Sequence, residues 1–229
     1  MGNHARYLTG TLGKQTRPKI IELHQLTITQ EHQPLLREIT LDIFEGESVA
    51  LVGSSEIDKN ALLACILGQI QPTTGEIRVL GTSLPPLSIE VRRQLGVIPQ
   101  LVERKTHETV AAYLQRFATY HGVQLTTAQL SAYCAHYRLA PSVSVMDLSS
   151  LQTRVLALAV ALIHDPRLAL LIEPLTGLTE QEQIVMQEYL QRTQREGRTL
   201  LSTFTPPLAE KHFTGYDLIV KLEQGQLLR

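Results

Sequence analysis

The sequence predicts an α/β domain with a mostly parallel β-sheet and helices on both faces. Short apolar runs at residues 48–52, 95–98 and 168–172 are typical of buried parallel strands. Longer segments with helical periodicity separate these runs, as expected when each parallel strand is connected to the next by a helix. The chain has 229 residues, of which 43% are hydrophobic, enough for one globular domain with its own core.

The first part of the chain is organised differently. Residues 1–19 contain four basic and no acidic side chains, and we expect a flexible basic tail. Residues 20–29 and 36–44 alternate apolar and polar positions, which predicts two half-buried strands. We therefore place the folded domain at residues 20–229.

The remaining segments follow in regular order. The stretch 106–138 has helical character and few strand signals, and we interpret it as part of a helical subdomain inserted at about residues 105–147. The other predicted elements are helices at 59–67, 149–164 and 181–196, strands at 76–80 and 199–203, and a closing hairpin at 218–222 and 226–228.

Composition restricts the possible settings. A net charge of −1 gives no electrostatic reason to expect a nucleic-acid partner. No segment approaches the roughly 20 apolar residues that span a bilayer, and no apolar signal segment opens the chain. We expect two reduced thiols, Cys65 and Cys134, in a cytoplasmic protein. The eight histidines lack metal-ligand spacing, which predicts no metal site built on them.

One loop has the layout of a phosphate-binding site. The strand 48–52 runs into Gly-Ser-Ser-Glu-Ile-Asp-Lys-Asn at residues 53–60 and then into a helix. Strand, loop, lysine and helix in this order form a P-loop, although a P-loop usually has glycines at positions 56 and 58 and Ser or Thr at 60. Further motifs follow at residues 71–77, 95–100, 147–152, 168–174, 176–179 and 200–204.

In order and spacing these motifs resemble those of ABC transporter ATP-binding subunits. The resemblance covers residues 20–229, nearly the whole chain, and is strongest to stand-alone subunits of multidrug or antibiotic exporters. The resemblance implies a P-loop NTPase-like ABC ATPase fold, with an N-terminal antiparallel β subdomain and an inserted helical subdomain. It also implies a membrane permease partner, a homodimer or a heterodimer with a second ABC ATPase subunit, and a location at the inner face of the cell membrane.

The resemblance assigns a role to each motif position. Glu173 matches the general base, Gln100 the residue that senses the γ-phosphate, and Phe204 stands where the family has its switch histidine. Ser149 and Gln152 belong to the signature motif, which acts on the nucleotide of the partner subunit. The nucleotide-binding positions are those of the P-loop: Gly53, Ser54, Ser55, Asp58, Lys59, Asn60 and Ala61.

Several of these positions carry unsuitable residues. Glu56 and Asp58 add negative charge beside a phosphate cradle, where one unit pair at about 5 Å repels by roughly 3 kcal/mol at an effective dielectric constant near 20. Asn60 lacks the hydroxyl that ligates Mg²⁺, and Ile172 replaces the aspartate that holds the same ion. Gln30 stands where the family stacks an aromatic ring on adenine. We expect ATP and Mg²⁺ to bind poorly, if at all.

Three side chains leave alternatives open. Lys59 is either a phosphate ligand or, as we favour, a partner of Asp58 or Glu56 at the helix start. Glu173 is either a general base or a carboxylate that caps a helix or faces solvent. Gln100 is either the residue that senses the γ-phosphate or a simple glutamine at a strand end. At another position, the apolar ring of Phe204 favours a dry, packed site.

Three functions remain in view. The first is a transporter subunit with weak or no ATP hydrolysis, coupled to its permease through the helical subdomain and residues 101–106. The second is a working ATPase with an atypical P-loop. The third is a soluble scaffold that uses the fold without transport, because fold alone does not fix function.

Overall fold

A computed structural model describes residues 17–30, 33–83, 87–99, 106–206 and 215–228. Most of the basic tail, Gln100 and residues 101–105 lie outside this part of the chain. Within it, no helix combines the length and the apolar character that crossing a bilayer requires.

An antiparallel sheet forms the first layer. Its four strands are β1 (Lys19–Gln30), β2 (Gln33–Phe44), β4 (Thr74–Val79) and β5 (Thr82–Ser83), in the order β2-β1-β4-β5. The strands β1 and β2 confirm the two alternating segments of the sequence, and β4 begins two residues before its predicted start. The predicted N-terminal antiparallel sheet is therefore present.

A six-stranded sheet forms the second layer, in the order β10-β9-β3-β8-β7-β6. All its pairings are parallel except β9 with β10, which form the predicted antiparallel hairpin. The strands are β3 (Ser48–Val52), β6 (Leu95–Ile98), β7 (Leu168–Ile172), β8 (Thr199–Phe204), β9 (Leu218–Glu223) and β10 (Gln226–Leu228).

Six α-helices connect these strands within the described ranges. They are α1 (Glu56–Ile66), α2 (Ile89–Arg92), α3 (Val110–Tyr120), α4 (Thr127–His136), α5 (Ser150–Leu162) and α6 (Glu180–Arg195). Each follows a Ser or Thr whose side chain accepts a hydrogen bond from a backbone N–H of the first turn. The helices α3 and α4 occupy the stretch that we interpreted as a helical subdomain.

The central strand β3 separates two apolar cores because successive side chains of a strand point to opposite faces. Ala50 and Val52 join a core that contains residues of α3, α5 and α6. Val49 and Leu51 join a second core that contains residues of α1 and of the antiparallel sheet. Burial on both faces explains why the last four residues of β3, Val49 to Val52, are all apolar.

Candidate nucleotide site

The carboxyl ends of three parallel strands meet at one edge of the sheet. Val52 pairs with Phe204 across β3 and β8, and Ile172 pairs with Thr203 across β7 and β8. The residues that follow these strands, Gly53, Glu173 and Thr205, therefore lie side by side. Ligands of open α/β sheets bind at this edge.

A buried ion pair occupies the centre of this edge. The Nζ atom of Lys59 donates to Oε1 of Glu173 and, at 2.6 Å, to Oγ1 of Thr205. The side chains of Lys59 and Glu173 are only 2% and 5% exposed. Our favoured prediction that Lys59 pairs with Asp58 or Glu56 is therefore wrong, since the lysine points across the sheet edge to β7 and β8.

Further donors surround the carboxylate of Glu173. The backbone N–H and the hydroxyl of Thr205 donate to it at 3.2 and 2.8 Å, and the Thr176 hydroxyl lies 3.4 Å from Oε2. The interpretation of Glu173 as a helix cap or a solvated carboxylate is wrong, because the group is enclosed. Its backbone has φ 48°, the left-handed conformation that is uncommon for a residue with a side chain.

Part of the P-loop segment is helical, so backbone N–H groups that would bind a phosphate are already hydrogen-bonded. Helix α1 begins at Glu56, three residues before the predicted start at residue 59. The N–H of Asp58 donates to Oγ of Ser55 at 3.2 Å, and the N–H of Lys59 donates to the Ser55 carbonyl at 3.3 Å. A cradle works because successive N–H groups point at the anion, and these two are bonded within the helix.

The carboxylate of Asp58 does not face the space before the helix. Its Oδ2 accepts from the N–H of Gly225 at 3.1 Å, at the turn of the β9–β10 hairpin. Glu56 and Ile57 are the exposed side chains of the first helical turn, and Ile57 is 66% exposed. Our expectation that Asp58 adds charge to a phosphate cradle is therefore wrong, whereas Glu56 remains free to repel an anion from the helix start.

The other P-loop positions divide between surface and core. Gly53 is buried, and an added Cβ would lie 2.6 Å from the Leu222 carbonyl oxygen, which excludes larger residues. Ala61 is buried, whereas Ser54 and Asn60 are exposed.

The residues present do not fit a magnesium site of the usual kind. Mg²⁺ requires oxygen ligands in near-octahedral geometry. Ile172 at the end of β7 offers no side-chain oxygen, and the carboxylate of Glu173 is already bonded to Lys59, Thr205 and Thr176. The exposed amide of Asn60 is the remaining oxygen among the positions that the resemblance assigns to the ion.

The signature segment begins helix α5. Oγ of Ser149 accepts from the N–H of Gln152 at 3.2 Å, and Oε1 of Gln152 accepts from the N–H of Ser149 at 2.9 Å. This reciprocal capping satisfies two N–H groups at the helix start within one chain. Both side chains are exposed, so they are accessible to a second subunit.

Phe204 and Gln30 are found where their motifs place them. The ring of Phe204 is buried and packs edge-on against Tyr216, with centroids 5.7 Å apart. This dry packing agrees with the expectation from its sequence. Gln30 is exposed at the end of β1. Gln100 lies outside the described residues.

Two residues of the site were missed by sequence reasoning. Thr205 follows β8 directly and binds both charged groups of the pair. Arg154 in α5 is buried and donates to the carbonyls of Pro99 and Thr176, at 3.2 and 3.0 Å. Burial lowers the pKa of its guanidinium, and the nearby charge of Glu173 opposes that effect. Arg154 could have been identified from the sequence, because it is a charged residue within a largely apolar helix. The sequence contains no comparable indication for Thr205.

Comparison with known proteins supports the resemblance of the motifs. Residues 36–176 match the family described as ABC transporter. Two proteins named Nod factor export ATP-binding protein I, from Rhizobium meliloti strain 1021 and from Rhizobium meliloti, are 31% and 32% identical to this chain over 189 and 200 residues. These matches cover 80% and 84% of this chain but 56% and 59% of the relatives. The chain thus spans little more than half the length of these relatives.

Solved structures share the fold. The cbiO1 protein of Clostridium perfringens, part of the ABC transporter complex cbiONQ, has a TM-score of 0.79 at 18% identity and is covered to 87%, with 92% of this chain matched. The ATP-binding cassette MJ0796, solved as a dimer bound to ADP and Pi, has a TM-score of 0.74 at 20% identity, with coverage of 91% of this chain and 97% of that one. With its motifs, its sheet order and these matches in agreement, the chain belongs to the ABC transporter family and carries its ATP-binding cassette.

Proposed function

We propose that this chain is the cassette subunit of an export-type ABC transporter and that its own nucleotide site hydrolyses ATP weakly or not at all. The names of its relatives support the export assignment. The observation that carries the second part is the enclosed Lys59–Glu173 pair. Because each group neutralises the other, Lys59 has no free charge for a phosphate and Glu173 no free lone pair for a water.

The P-loop backbone supports the same proposal. An incoming triphosphate requires the Lys59 side chain to leave Glu173 and the first turn of α1 to open, which breaks the hydrogen bonds of Asp58 and Lys59 to Ser55. It also has to approach the exposed carboxylate of Glu56. Each step opposes binding, and Ile172 and Asn60, at the positions assigned to Mg²⁺, offer few oxygen ligands to compensate for it.

The partners belong to the proposal as well. The cassette binds a membrane permease and pairs with a second copy or with another ABC ATPase subunit at the inner face of the membrane. The exposed Ser149 and Gln152 are available for the second subunit.

A nucleotide titration tests the loss of activity. Purified protein is titrated with labelled ATP, with and without Mg²⁺, and phosphate release is followed beside a Glu173→Gln variant. We expect no saturable binding in the micromolar range and equal, background phosphate release from both proteins. Micromolar binding with Mg²⁺-dependent turnover that is lost in Glu173→Gln would establish the alternative, a working ATPase in which Glu173 is the base.

A purification tests the partner assignment. The tagged chain is isolated from detergent-solubilised membranes of its native host. We expect a multi-span permease at a fixed molar ratio, together with a second cassette or a second copy of this chain. Recovery only from the soluble fraction, free of any multi-span protein, would favour the scaffold function instead.

A further inference from the structure

Two histidines from different parts of the fold stack face to face. His121 follows the last residue of α3, and His164 lies just after α5. Their ring centroids are 3.8 Å apart and the ring planes differ by 5°. We call this contact the histidine stack. It joins the helical stretch that contains α3 to the part of the chain that leads into β7.

The surroundings of His164 favour a neutral ring. Its Nε2 lies 3.0 Å from the carbonyl oxygen of Leu95, which requires the proton to be on Nε2 in the neutral form. The opposite nitrogen, Nδ1, is buried and lacks a hydrogen-bond partner among the described residues. Protonation at Nδ1 would create a buried N–H without an acceptor, which is unfavourable.

The charged groups around the stack do not reverse this preference. Asp165 and Arg198 face His164, but they pair with each other at 2.6 Å. Tyr120 packs edge-on against His121, with ring centroids 5.2 Å apart. Burial lowers the pKa of both histidines. For His164 the neighbouring His121 lowers the pKa further, and the Leu95 carbonyl and Asp165 oppose this decrease without reversing it.

A second histidine contact lies between α4 and the segment before β8. His136 is 3.9 Å from Glu196, with Arg192 and Arg198 nearby, and burial followed by Arg192 lowers its pKa. Its partner is a carboxylate, so protonation there gains one favourable interaction. The histidine stack has no equivalent gain, because its two rings would carry like charges in contact.

We propose that the histidine stack is a proton-sensitive contact that holds α3 against the sheet-bearing core while both rings are neutral. At acidic pH the two imidazolium groups repel each other, and the end of α3 separates from His164. The inference does not depend on the nucleotide site, which lies at the opposite end of α5.

The sign of the pH effect follows from linkage. A histidine whose pKa is lower in the folded protein binds fewer protons there than in the unfolded chain, so folding stability rises with pH. The stabilisation is complete above the unfolded value, near 6.5, and is lost as the pH falls from there towards the lowered folded value.

Urea unfolding at pH 7.5 and 5.5 tests the proposal on the whole chain. The variant His121→Phe keeps a ring for stacking but cannot be protonated. Acidification should raise the equilibrium constant for unfolding in both proteins. We expect the increase to be at least roughly threefold larger in the wild type than in His121→Phe. The exposed His107, changed to Phe, is the matched control and should behave as the wild type does.

A second measurement does not require a folded variant. An NMR titration of the histidine Cε1–H signals in the wild-type protein should place the transitions of His121 and His164 below that of an exposed histidine, accompanied by shifts of backbone signals in α3. The lowered transition of His136 should leave those α3 signals unchanged. Ordinary titration of all histidines, or equal acid sensitivity of wild type and His121→Phe, would overturn the proposal.

Discussion

Burying a charge is costly unless it is paired, and the ammonium group of Lys59 depends on Glu173 for its counter-charge. The change Lys59→Met leaves the Glu173 carboxylate buried with the hydrogen bonds of Thr205 and Thr176 alone. Breaking one partner out of a buried pair costs about 3–5 kcal/mol of folding free energy. We expect a loss of this size in the free energy of unfolding, measured with urea.

The double variant Lys59→Met/Glu173→Gln distinguishes the cost of the unpaired Glu173 charge from the cost of changed packing at residue 59. It removes the unpaired carboxylate, so its stability should exceed that of Lys59→Met. Lys221→Met, at an exposed position of β9, should change stability by no more than about 0.5 kcal/mol. A loss below about 1 kcal/mol in Lys59→Met would show that the pair is not the buried contact described above.

The hydrogen bond from Gly225 to Asp58 permits a second test. Asp58→Ala leaves the N–H of Gly225 without its acceptor and should cost about 1–3 kcal/mol in urea unfolding. Asp58→Asn retains a side-chain oxygen and should lose less than half as much. Equal losses in the two variants would mean that charge, rather than the hydrogen bond, is what Asp58 contributes.

The sequence could not identify the partner of Lys59. The two acidic neighbours, Glu56 and Asp58, are close along the chain, whereas Glu173 is separated from Lys59 by 114 positions. The partner of a helical side chain depends on the direction in which that side chain projects, and the direction depends on where the helix begins. We expected Asp58 or Glu56 beside Lys59 because they are neighbours in sequence, and the sequence does not give the direction in which helix α1 points the lysine.

The β9–β10 hairpin connects parts of both sheets. Gly225 at its turn has φ +75°, and an added Cβ would overlap the carbonyl oxygen of Leu35 in β2. The carbonyl oxygen of Gly225 also accepts a hydrogen bond from the N–H of Arg37 at 2.7 Å. The hairpin turn thus contacts the antiparallel sheet and, through Asp58, helix α1.

A pair of glycine substitutions measures this contact. Gly225→Ala and Gly122→Ala change residues with nearly equal φ, +75° and +79°, but the space beside Gly122 is open. Gly122→Ala should lower the free energy of unfolding only by the cost of placing an alanine in the left-handed conformation, about 1–2 kcal/mol. Gly225→Ala should lower the thermal midpoint further than Gly122→Ala does, because its Cβ also overlaps the Leu35 carbonyl oxygen. Equal shifts in the midpoint would indicate that the hairpin turn moves freely.

The bounds of strands and helices could be predicted where the sequence pattern supports a single interpretation. The strands β3, β6 and β7 have the predicted bounds because buried parallel strands are continuous apolar runs. Helix α6 lies within one residue of its predicted bounds, and in the structure Thr179 and Glu182 form a capping box at its start. The start of helix α1 was not predicted, because Ser55 is also a capping residue and the P-loop interpretation gave it another role.

For the whole molecule, the closed nucleotide site predicts that ATP does not stabilise the fold. A ligand at a hundred times its dissociation constant adds about 2.7 kcal/mol to the free energy of unfolding. We expect no change in the thermal midpoint of this protein with millimolar ATP and Mg²⁺, measured by differential scanning calorimetry. A competent ABC cassette under the same conditions is the positive control, and a comparable upward shift here would contradict the closed site.

The order of strands also has a consequence for biosynthesis. Strand β3 lies between β8 and β9, so both of its neighbours are made some 150 residues later. During translation β3 leaves the ribosome with two unpaired edges and stays without its hydrogen-bonding partners until first β8 and then β9 have emerged. Such distant pairing slows folding and exposes nascent chains to aggregation, so this cassette should depend on chaperones while it is being made.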